Sequence, residues 1–176
     1  MQKLNEQLKQ YRLQAEELDR VRRMAGEAQS KINALIKLDD FESERAQRKL
    51  TDARSSLDIA NARLKHLETN AGKLSAEIIG GFALERGAWN ETIAARRAEI
   101  VCGMEEALRP FFNGDERRLK TVVANLPAPL LRDLSKAVSH VEFREVETDS
   151  EKVAEAERFC SHVKFWAKKL GLETGE

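Results

Sequence analysis

Proline, cysteine and aromatic residues are all scarce in this chain. It has three prolines, two cysteines and 6% aromatics in 176 residues. Few aromatics beside 34% charged residues argue against a thick globular core and for long solvated helices. Excess charge of either sign is missing too. Lysine plus arginine and aspartate plus glutamate number 30 each, so no global field draws in nucleic acid or an anionic membrane. Cys102 and Cys160 follow no metal or redox spacing, which suits free thiols in a reducing compartment. The charged, periodic start MQKLNEQLKQYRLQ is not of signal-peptide type. The longest uncharged run, Thr121 to Leu131, is too short for a bilayer and contains two prolines. These absences lead to the expectation of a cytoplasmic protein with no membrane contact.

What is present is a seven-residue apolar rhythm. From Ser43 to Ile78, Leu50, Leu57, Leu64, Ala71 and Ile78 hold one core position, and Ala46, Ala53, Ala60, Leu67 and Leu74 the other. This is the spacing of a coiled coil. An earlier stripe runs through Leu4, Leu8, Tyr11, Ala15, Leu18, Val21, Ala25, Ala28, Ile32 and Leu35. The steps Ala15 to Leu18 to Val21 are both three residues, a slip that would overwind a continuous supercoil.

Folding the chain about Asp39 pairs core residues whose numbers sum to nearly 78. Ile32 then meets Ala46, Ala28 meets Leu50, Val21 meets Leu57, Leu18 meets Ala60, Ala15 meets Leu64, Tyr11 meets Leu67, Leu8 meets Ala71 and Leu4 meets Leu74. Large faces small in most of these layers, Ala25 with Ala53 being small on small. Such matching favours an antiparallel hairpin over one straight rod. Asp39 and Asp40, with Glu42 at the third position from Asp39, can cap the returning helix. The competitor is a parallel homodimer of the second segment, in which Lys49 would repel Arg54 of the partner and Arg63 would attract Glu68.

Beyond Ile78 the helical spacing continues through Phe82, Trp89, Ile93, Ile100, Met104 and Leu108. The pair Gly80 and Gly81 predicts a kink or break, either where another helix approaches closely or at a hinge. The run IIGGFALERGAW, Ile78 to Trp89, resembles the stretch where the antiparallel stalk of dynein returns to its motor ring, through paired apolar residues, a glycine, then Glu85 and Trp89. The resemblance covers about a dozen residues. No GxxxxGK[ST] loop accompanies it, and no function follows from it.

Pro110 ends the long helix and FFNG turns the chain. Asp115 caps a helix bearing Leu119, Val122, Val123 and Leu126, which Pro127 stops. Pro129 opens the next, with Leu130, Leu134, Ala137, Val138 and Val141 inward. His140 to Thr148 reads as a loop or helix end. Thr148 and Glu151 then form a capping box for a last helix striped by Val153, Ala156, Cys160, Val163, Ala167 and Leu170, with Phe159 and Trp166, and closed at Gly171. The fold expected is all-α: an antiparallel coiled-coil helical hairpin over 1–79, followed by a small helical bundle over 80–176.

No catalytic, cofactor-binding or metal-binding constellation emerges. His66, His140 and His162 fall on helix surfaces or ends, and Cys160 and His162 point to different faces. No nucleophile stands beside a recognisable base. The chemistry expected is therefore non-enzymatic, without cofactor or metal: a scaffold or adaptor that binds another protein or a second copy of itself. Its candidate contact residues are the aromatics Phe111, Phe112, Phe165 and Trp166. The alternative is a nucleic-acid-associated helical protein using the doublets Arg22–Arg23, Arg96–Arg97, Arg117–Arg118 and Lys168–Lys169. Acidic neighbours make these read first as solvated helix faces.

Overall fold

A computed structural model describes residues 1–37, 43–126, 129–145 and 147–172. It is all-α, an antiparallel helical hairpin followed by a small helical bundle. The elements in order are α1 (Gln2–Ile36), α2 (Glu44–Leu108), a 3-10 turn (Arg109–Phe111), α3 (Glu116–Asn125), α4 (Pro129–Ala137) and α5 (Asp149–Leu170), with no strand among the described residues. Two compact units result. One is Glu6–Ile78, and the other joins Met1–Asn5 to Ile79–Glu176.

In the first unit α1 and the opening half of α2 run antiparallel. Gln7 bonds Glu77 at 2.9 Å, Glu17 pairs with Arg63, and Ile32 packs with Leu50 and Ala53. Rising numbers on one arm therefore meet falling numbers on the other. Every core position expected of the second arm is buried or half-buried, from Ala46 through Ile78. The register differs from the expected one near the reversal. Ile32 sits between Leu50 and Ala53, with Leu35 and Leu57 against them, instead of opposite Ala46. α1 ends at Ile36 and α2 begins at Glu44. The expected caps Asp39, Asp40 and Glu42 lie outside the described residues. Ser43 accepts the Ala46 N–H on its Oγ at 3.2 Å and the Gln47 N–H on its carbonyl at 3.0 Å, so it caps the start of α2.

The slip in the first stripe does not exist. Ala15 is exposed, while Gln14 turns inward. With Gln14 in place, Tyr11, Leu18, Ala25 and Ile32 repeat every seven residues, as do Gln14, Val21, Ala28 and Leu35, and the stripe has no slip. Residue type misled here. Apolarity alone puts Ala15 on the seam, whereas Gln14 is the half-buried residue of the two. The exchange has a cost, because Gln14 Oε1 is buried without a hydrogen-bond partner among the described residues. Replacing Gln14 with leucine removes that unsatisfied acceptor and keeps the seam filled. The hairpin is expected to gain on the order of 1 kcal/mol, read as a higher urea midpoint at unchanged m.

No break occurs at the glycine pair, since α2 is continuous across it. Neither glycine adopts a positive φ. Ile78 and Phe82 are 0% and 2% exposed, so the helix is anchored by burial on both sides of the pair, which outweighs the propensity cost of about 1 kcal/mol per glycine. Close approach is not the explanation at Gly80 either, as an added Cβ would meet nothing within 4 Å.

The second unit buries Phe82, Trp89 and Ile93 of α2, Leu119 and Val123 of α3, Leu134 and Ala137 of α4, and the inner stripe of α5, with Leu4 beside them at 1% exposure. The punctuation is as expected. Asp115 Oδ1 accepts the Arg118 N–H at 3.0 Å. Asn113 and Gly114 take the positive φ values of 48° and 86° that the FFNG turn needs. Pro129 is the first residue of α4. Pro127 lies outside the described residues.

Candidate interaction surface

The surface is built on a joint where α2, α4 and α5 meet. Ala137 is the last residue of α4, so its carbonyl lacks a partner within the helix. It accepts the Trp89 indole N–H at 2.7 Å and lies 2.9 Å from His162 Nε2. With that nitrogen protonated, both lone pairs of the carbonyl are used. The next residue of α2, Asn90, donates to the Ser139 carbonyl at 3.0 Å and accepts the Ser139 N–H at 2.9 Å. Its amide thereby does for one residue what a neighbouring strand would do. Arg86 bonds the Val141 carbonyl and lies 3.5 Å from Glu142. Phe82 packs tilted against Phe143 at 4.4 Å and meets Phe159 edge-on at 5.2 Å. The stretch from Val138 to Phe143 is thus a loop held by side chains of one face of α2.

Thr148 opens α5 with the expected capping box, its Oγ accepting the Glu151 N–H at 3.4 Å while Glu151 Oε2 accepts the Thr148 N–H at 2.7 Å. The backbone and hydroxyl of Thr148 hold the Glu151 carboxyl below its ordinary value of 4.5. A carboxyl lowered in the native state stabilises fully above that ordinary value, and its contribution is lost as pH falls through the lower native one. Thermal melts between neutral pH and pH ~3 are expected to show an acid decline that Glu151→Gln flattens. At the other end, Gly171 takes φ 62° and Leu172 N–H bonds the Ala167 carbonyl at 2.9 Å, closing the helix as expected.

The four aromatic candidates occupy two separate places. Phe111 is 77% exposed on the 3-10 turn, and Phe112 beside it is half-buried. Among the described residues neither makes a ring contact with the other pair. On α5, adjacent Phe165 and Trp166 diverge. Trp166 is buried at 9% and Phe165 stands 60% exposed, its ring edge-on to the indole at 5.2 Å. Lys169 Nζ lies 4.8 Å above the same indole and 2.9 Å from Asp133 of α4, tying α4 to α5 at the patch. Lys164 and Lys168 are exposed on either side of Phe165. An exposed ring backed by a fixed one and bordered by cations is an apolar anchor with electropositive surroundings.

Both thiols are free. Cys102 is exposed, whereas burial pushes the Cys160 thiol up to about 11, with Glu85 and Glu157 adding to the effect and the N-terminal ammonium opposing it. Cys160 is therefore a neutral core residue at pH 7. Among the described residues no group of three or more histidine, cysteine, aspartate or glutamate side chains is placed to hold a metal ion, and no helix is long and apolar enough to cross a membrane. Three of the four basic doublets have a member in an ion pair: Arg22 with Glu68 at 3.2 Å, Arg96 with Glu99 at 2.8 Å and Lys169 with Asp133. The joint at Ala137 and Ser139 was not foreseen, because its bonds run from side chains to backbone atoms some fifty residues away. No protein-family model matches this chain, and no curated protein or solved structure matches it.

Proposed function

We propose that this chain is a non-enzymatic helical adaptor that binds another protein chain through the aromatic end of α5, with the hairpin serving as a coiled-coil ribbon for oligomerisation or display. One observation carries the reading: Phe165 is 60% exposed although the adjacent aromatic, Trp166, is buried. A large apolar side chain held in water by a well-packed helix is the usual form of a binding anchor. The bordering lysines favour an acidic partner surface. Two free thiols suit a reducing cytoplasm.

The test compares what the full chain and its Phe165→Glu variant retain when immobilised. A protein held by the native chain and lost from the variant supports the reading, and identical retention by both sinks it. The nucleic-acid alternative is weakened by the ion pairs that occupy Arg22, Arg96 and Lys169. A gel shift on duplex DNA with steep salt dependence would restore it.

A further inference from the structure

We draw no further inference here: the strongest candidate, the exposed outer face of α5 around Phe165, is an unpartnered apolar face, and nothing in the structure shows what covers it.

Discussion

Replacing Phe159 with alanine is expected to lower the stability of the C-terminal unit by about 3–5 kcal/mol, the usual cost of truncating a buried aromatic ring. The side chain is 0% exposed and stands edge-on to Phe82 at 5.2 Å, while Phe82 in turn packs tilted against Phe143 of the loop at 4.4 Å. Removing the ring leaves a cavity that α5 cannot close by shifting, because its start is tied by the capping box and its end by Lys169 to Asp133 at 2.9 Å. Part of the loss is the aromatic contact itself, worth about 0.5–1.5 kcal/mol beyond area. Thermal unfolding followed by tryptophan fluorescence measures it, since both tryptophans lie in this unit. The contrast is Phe165→Ala two turns along the same helix, where the ring is 60% exposed and the change should stay within about 0.5 kcal/mol. Similar losses at the two positions would contradict the packing described here.

Glycines inside the two long helices offer a large effect of the opposite sign. Gly26, Gly72, Gly80 and Gly103 lie within α1 or α2, are exposed, and would place an added Cβ in open space. Alanine at each lowers the entropy lost on folding without meeting a neighbour, for about 0.5–1 kcal/mol per site. The sites are far enough apart along the chain for the gains to add, so the fourfold variant is expected to be about 2–4 kcal/mol more stable. Guanidinium unfolding monitored at 222 nm gives the number. No gain at Gly80 in the single variant would mean that the helix needs the flexibility of glycine there, as a hinge would.

The parts of the fold legible in advance share a physical cause. The returning arm of the hairpin could be read because every core position from Ala46 to Ile78 is apolar and the period is unbroken. Residue type and position then carry the same information. The ends of α3 and α5 could be read because caps are local, with Asp115, Thr148, Glu151 and Gly171 acting within four residues of themselves. At Gln14 and Ala15 the two kinds of information disagree, and geometry prevailed over polarity. At Gly80 and Gly81 a local preference of about 1 kcal/mol per residue was set against the burial of Ile78 and Phe82, and burial prevailed.

The candidate surface divides along the same line. Its chemistry, an aromatic pair among lysines near the end of a capped helix, is visible in the string FCSHVKFWAKKL. Which aromatic turns inward follows from the period as well, since Trp166 falls on the stripe of Phe159 and Val163 and Phe165 lies off it. What α4 adds are two contacts, the Ala137 carbonyl 2.9 Å from His162 Nε2 and Asp133 2.9 Å from Lys169, which tie α5 in that rotation. The amino-acid order by itself determined the helices, the caps of α3 and α5 and the apolar stripe of the returning arm, since these depend on neighbours within about seven residues. Tertiary structure alone decided the register, the inward place of Gln14 and the clasp of Asn90 on Ser139, because each depends on atoms brought together from distant positions.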